Sequence, residues 1–364
     1  MKIKNIISYL EELAPLYLQE DYDNSGLIVG CDESEVSSVL ISLDCTEDVL
    51  SEAISNKCNL IITHHPIIFS SLKRLNGKNY VERILINAIK NEIAIYSIHT
   101  NLDNIFQGVN AQIAKKIQLK KTKILKPKKD ILRQLVVYCP YKHSQSLKDV
   151  LFNAGAGSIG NYTNCSFSSS GKGTFKAGEK TDPYIGNKGE LHVENEERIE
   201  VIYPKYKEKE IINAMHSCHP YEEVAFQIYL IDNVFPQVGS GIIGDLTAKQ
   251  NVSDFLNSLK DIFSVNMIRC SPIIKKEIQK IAVCGGSGSF LIEDAKKAGA
   301  DMLITSDIKY HQFFDAGDNM ILVDIGHYES EQFTKELIYD LLTKNFTKFA
   351  IRLSKVNTNP IKYL

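Results

Sequence analysis

Apolar residues at Ile3, Ile6, Ile7, Leu10 and Leu13 recur at helical spacing around the polar pair Glu11 and Glu12, which predicts an amphipathic helix at the start of the chain. The period then changes. Three short apolar runs, at 39–43, 60–63 and 93–98, have strand length and are separated by helix-length stretches at 46–56 and 80–90. Short apolar runs joined by helical crossovers predict a βαβαβ unit with a parallel sheet covered by helices. The last third repeats the theme, with strands predicted at 281–284, 302–305 and 319–324, a helix at 290–298 and another from 329 to about 342. The hexamer LIITHH at 60–65 aligns with MLITSD at 302–307, and Ile41 and Val283 sit 21 positions before Ile62 and Ile304. The outer segments are therefore expected to be halves of one duplicated α/β/α architecture.

The middle departs from both. A basic stretch, KKTKILKPKK at 120–129, reads as a solvated linker at a domain junction. Beyond it come a strand at 132–138, a helix at 144–153, a strand at 165–169, a strand near 198–203, a helix near 207–217 and a strand at 224–230. That β-α-β-β-α-β order is the ferredoxin-like α+β pattern. The tract at 154–189 is rich in Gly and Ser, and its part at 168–189 is expected to be a polar loop facing partners. Pro236 and the glycines of GSGIIG mark a second boundary near 232–241. The expected division is 1–128 and 234–364 as the two halves of a host domain, with 129–233 inserted between them.

Composition adds mainly exclusions. With 364 residues the chain can bury two cores without disulfides or a structural metal, and 44% hydrophobic with 24% charged residues is ordinary globular usage. A net charge of -2 supplies no global field for nucleic acid or anionic lipid. The eight cysteines form no C-x-x-C pair and are expected to be buried, reduced thiols. No secretory core or stretch of about twenty apolar residues occurs, so a cytoplasmic protein without a membrane partner is expected.

Chemistry concentrates at the ends of the predicted strands. His64 and His65 follow the run at 60–63, and Pro66 ends it. Carboxyl ends of parallel strands are where such sheets bind ligands. Adjacent strand residues point to opposite faces, so neighbouring histidines chelate one ion with difficulty yet readily give one nitrogen to each of two ions. The next strand runs into His99 and Asp103, and the run at 320–323 ends in Asp324, with His327 and then Glu331 four residues on. Three histidines and two carboxylates at such ends would make a mixed nitrogen and oxygen donor set, suited to Zn, Fe or Mn rather than to a thiolate structural site. Five donors exceed one closed tetrahedral site and suit two open ones.

The strings DYDNSGLIVG at 21, THHPIIF at 63, SIHTNLD at 97 and GHYESE at 326 closely resemble the NIF-three-like dinuclear metal-centre family, whose bacterial members are often labelled GTP cyclohydrolase 1 type 2 homologues. GAGSIGNY at 155 and CHPYEEVAF at 218 resemble the PII-like domain that longer bacterial members carry. The resemblance implies His64, His65, Asp103, His327 and Glu331 as ligands of two divalent metal ions, zinc first with Fe or Mn as alternatives, and Glu331 as their bridge. It also implies a hexameric toroid with metal sites facing an inner cavity.

Other residues are candidates of a second kind. Asp307 and His311 follow the strand at 302–305, at the duplicate position of His64 and His65, and are expected to move protons in the cavity. His99 either orients Asp103 or caps a turn, and Asp23 and Asn24 either shape a rim or form an ordinary turn. GGSGSF at 285–290 reads as a tight turn before it reads as a phosphate cradle, matching neither common phosphate-loop motif. His216, His219, Glu222 and Glu223 lie close in sequence but are expected to mark a strand entry rather than a second metal site.

The expected function is that of a dinuclear metal-dependent hydrolase acting on a small molecule. In the version the resemblance implies, the substrate is a nucleotide, and water opens the imidazole ring of a GTP-like purine. The alternative is a non-enzymatic metal-binding regulator or scaffold whose PII-like domain senses a ligand.

Overall fold

Strands covered on both faces must be apolar throughout. The strands Ser38–Ser42, Leu60–Thr63 and Ala94–Ser97 are buried at every position, as are Met302–Ser306 and Ile321–Asp324. The computed structural model describes residues 1–362, and the chain is a mixed α/β fold with several sheets. It divides into two compact units, Met1–Pro127 with Gln237–Leu364, and Lys128–Pro236.

The first unit holds two sheets. One has the order Gly26–Val29, Ala94–Ser97, Leu60–Thr63, Ser38–Ser42, Ala350–Leu353, parallel except for the antiparallel Gly26–Val29. The other has the order Arg269–Cys270, Ile321–Asp324, Met302–Ser306, Glu277–Ser287, Gly239–Asn251, Lys120–Pro127, with the second to fourth strands parallel and the rest antiparallel. The helices Glu47–Ser55 and Tyr80–Lys90 close one face of the first sheet, burying Val49, Leu50, Ala53, Ile84, Leu85 and Ala88 against Leu40, Ile61 and Ile95. Thr46 and Asn79 cap these helices by accepting from the backbone N–H groups of Val49 and Glu82. The second sheet is covered in the same way, with Ile292 and Ala295 packed on Ala282, Leu303 and Leu322.

Each terminal segment gives an edge strand to the sheet built by the other. Ala350–Leu353 runs parallel to Ser38–Ser42, and Lys120–Pro127 runs antiparallel to Gly239–Asn251. Two expectations are corrected here. The basic stretch is an edge strand instead of a linker: an edge needs only backbone partners on one side, and lysines suit its exposed side. The GSGIIG segment expected to punctuate a boundary begins a thirteen-residue strand.

The second unit is a four-stranded antiparallel sheet in the order Phe167–Lys176, Leu191–Pro204, Leu132–Pro140, Phe226–Leu230. Its helices Tyr141–Asn153 and Glu208–Cys218 bury Leu147, Leu151, Ile211 and Met215 against Leu135, Val137, Ile199 and Val201. The strand expected at 165–169 runs on to Lys176, paired residue by residue with Leu191–Pro204. Much of the stretch expected to be a loop is thus ladder, which Gly and Ser enter when a neighbour supplies the backbone bonds. All eight cysteines are free thiols, but only Cys45, Cys58, Cys139 and Cys284 are buried, while Cys31 and Cys270 are exposed.

Candidate metal centre

Three chain segments converge at the carboxyl ends of the parallel strands in the first unit. His64 and His65 leave Leu60–Thr63, their backbone N–H groups held by Leu43 O at 3.1 and 3.0 Å. Asp103 ends the short helix Thr100–Asp103 after Ala94–Ser97. His327 and Glu331 begin and end the short helix His327–Glu331 after Ile321–Asp324, one turn apart on one face.

The five predicted donors come together. His65 Nε2 and His327 Nε2 lie 2.9 and 3.1 Å from Glu331 Oε2, and 3.3 Å from each other. His64 Nε2 lies 3.6 Å from Asp103 Oδ1 and 3.8 Å from Glu331 Oε1. Two groups result, His65 with His327 and Glu331, and His64 with Asp103 and Glu331, each with donor atoms within 4.8 Å of one another. A third such group is His64, His65 and His99.

The inward atoms are short of partners. His64 Nε2, Asp103 Oδ1 and Glu331 Oε2 are buried and make no hydrogen bond. Leaving one buried polar group unsatisfied costs about 1–3 kcal/mol. Three such atoms converging on one space fit a cation, which they would satisfy together.

The outward nitrogens are all tied. His65 Nδ1–H donates to Asp44 at 2.8 Å, His327 Nδ1–H to Asp307 at 2.6 Å, and His64 Nδ1–H to Ile98 O at 2.9 Å. A carboxylate or carbonyl can only accept, so each tautomer is fixed with the Nε2 lone pair facing inward. Burial opposes charge on His65, but Asp44 and Glu331 outweigh it and push its pKa up to about 10. For His327, burial is likewise outweighed by Asp307 and Glu331, and the pKa rises to about 11. Burial raises Asp103 to about 7 despite His64, while the three histidines overcome burial and hold Glu331 well below the usual carboxylate range. A proton and a divalent cation compete for the same nitrogens, so cation binding here would expel protons.

Glu331 dictates the backbone behind it. Gly286 has φ +61, and a Cβ there would lie 2.3 Å from Glu331 Oε1. Its N–H donates to Ser330 Oγ at 2.9 Å. GGSGSF, expected to be a tight turn, instead carries the irregularly paired end of the strand Glu277–Ser287 close behind this carboxylate.

The proton-moving candidates separate. Asp307, a non-glycine residue at φ 56, accepts from His327 Nδ1 and from Ser287 Oγ, so it holds a histidine instead of facing the cavity. His311 is exposed, its ring against Tyr310 and Phe314, and it is outside the three donor groups. His216 packs on Phe226, His219 Nε2–H donates to Tyr138 O, and Glu222 accepts from the Asp182 backbone; none of these joins a donor group among the described residues.

Sequence reasoning overlooked Asp44 and the segment at 358–361. Asp44 accepts from Thr358 Oγ1 at 2.5 Å as well as from His65. It too stands at the end of an apolar run, the same signal that marked His64. Beside the cluster opens a cavity of about 600 Å³. Tyr22, Phe69, Tyr80 and Phe290 line it and are each more than half exposed. Among the described residues, no helix is long and apolar enough to cross a membrane.

The family model described as Duf34/NIF3 (NGG1p interacting factor 3) matches residues 1–360. A Bacillus subtilis protein named GTP cyclohydrolase 1 type 2 homolog is 38% identical, over 99% of this chain and 98% of the relative. A Halalkalibacterium halodurans protein of the same name is 36% identical over the full length of both. Among solved structures, a Bacillus cereus protein related to NIF3 matches with a TM-score of 0.87 and 36% identity, covering 100% of this chain and 99% of that one.

Proposed function

The chain belongs to the Duf34/NIF3 family, and from that premise and the buried donor cluster we propose that it is a hydrolase built around two divalent cations. The observation that carries this reading is the sharing of Glu331 by two donor triads, in which His64 Nε2, Asp103 Oδ1 and Glu331 Oε2 are buried without a hydrogen-bond partner. When bound, such cations supply Lewis acidity that makes water nucleophilic at neutral pH and polarises a substrate oxygen. His65 and His327 would hold one and His64 and Asp103 the other, with Glu331 between them. Asp44 and Asp307 fix the rings of His65 and His327. The imidazole and carboxylate donors suit zinc, with iron or manganese as alternatives.

A cavity of about 600 Å³ beside the donors favours an enzyme over a scaffold, because substrate-sized pockets start at about 300 Å³. Its aromatic lining favours a substrate with a planar ring, and the relatives' name directs the first trial to a purine nucleotide opened hydrolytically. In this reading the outer segments are a duplication, since each contributes three parallel strands in the spatial order third, second, first. The second unit is its ferredoxin-like, PII-like insertion, and the protein works as a hexamer. Asp307 assists by holding His327, a narrower role than the proton transfer expected for it, and His311 acts in protonation only if it reaches the cavity from its exposed turn.

The test is to incubate the metal-loaded protein with GTP and to measure formate and a ring-opened product. We expect turnover that disappears in a His64→Ala and Glu331→Ala double variant. Turnover that survives in that variant overturns the assignment of this site.

A further inference from the structure

The two halves of the centre are built alike, and the likeness points to a donor beyond the five. His327 follows Ile321–Asp324, and Glu331 comes four residues later. His99 follows Ala94–Ser97, and Asp103 comes four residues later, its N–H donating to His99 O at 3.1 Å across one helical turn. Glu331 and Asp103 are both in the donor set, and His327 is too. His99 stands at the same spacing before its carboxylate, two residues after its strand where His327 is three after its own.

Its ring is prepared in the same way. His99 Nδ1–H donates to Asp23 Oδ1 at 2.7 Å, as His65 donates to Asp44 and His327 to Asp307. Asp23 is gripped in turn by the N–H groups of Asn24 and Thr100 at 2.6 and 3.0 Å and by Ser25 Oγ at 3.0 Å. A ring fixed at Nδ1 keeps its lone pair on Nε2. The ring lines the cavity, with its centroid 5.2 Å from those of both His64 and His65. The three residues offer ring nitrogens within 4.8 Å of one another.

We infer that His99 is a sixth donor, a fourth imidazole that binds a cation of this centre through Nε2, with Asp23 as its positioning residue. This rests on the dinuclear reading of the site. It explains why an aspartate in a turn near the start of the chain carries so many hydrogen bonds: it sets the angle of a ring that faces the donors. A histidine serving only to cap Thr100–Asp103 would not need its side chain there, since Asp23 already accepts from Thr100.

The experiment uses the full chain loaded with Co(II) and proton NMR in H2O and D2O. Each imidazole bound to cobalt through Nε2 shows one strongly shifted Nδ1 proton that vanishes in D2O. We expect four such signals, from His64, His65, His327 and His99, and the loss of one in His99→Gln. We expect Asp23→Asn to weaken cobalt retention about 10–100-fold, the usual effect of losing a partner behind a liganding histidine. No more than three signals in the unsubstituted protein overturns the inference while leaving the dinuclear reading in place, whether or not either variant folds. Failure of the unsubstituted protein to retain cobalt overturns both.

Discussion

At the ends of their central parallel strands, the two sheets of the first unit place different chemistry on matching backbone. Leu60–Thr63 runs into His64 and His65, which point nitrogens at the cluster, whereas Met302–Ser306 runs into Asp307, which points its carboxylate at the back of His327. One end supplies donors and the other supplies support. The next strand of each sheet is followed by a histidine and a carboxylate four residues apart. The comparison teaches that an edge of parallel strands sets where side chains arrive, and that residue type then divides them into those that would meet a cation and those that hold the ones that do.

Substitutions test that division. The largest effect is expected for Glu331→Ala, which should lose both metal equivalents on dialysis by elemental analysis, because both donor triads use this carboxylate. Asp103→Ala should lose one equivalent of two. Gly286→Ala should come next, since its new Cβ would fall 2.3 Å from Glu331 Oε1 at a φ of +61. A left-handed non-glycine residue costs about 1–2 kcal/mol, so the melting temperature should fall together with metal affinity. The support carboxylates should matter less. Asp307→Asn and Asp44→Asn should each weaken affinity about 10–100-fold in a competition titration with a chelator, with stoichiometry kept. The smallest effect is expected on replacing residues 128–236 with a short turn. Pro127 and Gly239 are already paired across adjacent strands, so both metal equivalents should remain.

Much of this site was legible because buried parallel strands are apolar runs and their ends stand out. His64, His65, Asp103, His327 and Glu331 all come after such runs, and spacing placed His327 and Glu331 on one helical face. Support that arrives from far along the chain stayed hidden. Thr358 reaches Asp44 across more than 300 residues, and nothing local announces the contact. The strand Lys120–Pro127 was obscured because four lysines at 120–126 mask an edge that needs only backbone pairing. Phe167–Lys176 was obscured because glycine and serine carry no periodic signal, although every residue is paired. Position after a strand does not fix position in space for His311, which is exposed and outside the donor groups, with the left-handed Asp307 between it and the strand.

The exchange of edge strands between the two sheets bears on how the protein is made. The first sheet gains its last strand from Ala350–Leu353, which is synthesised more than 300 residues after its partner Ser38–Ser42. Until then Ser38–Ser42 presents an open backbone edge, and such edges invite association with other chains. Contacts between such distant residues also slow folding. A nascent chain of this protein is therefore expected to depend on protection by chaperones until Ala350–Leu353 has emerged, and loss of that strand would expose the edge in every molecule.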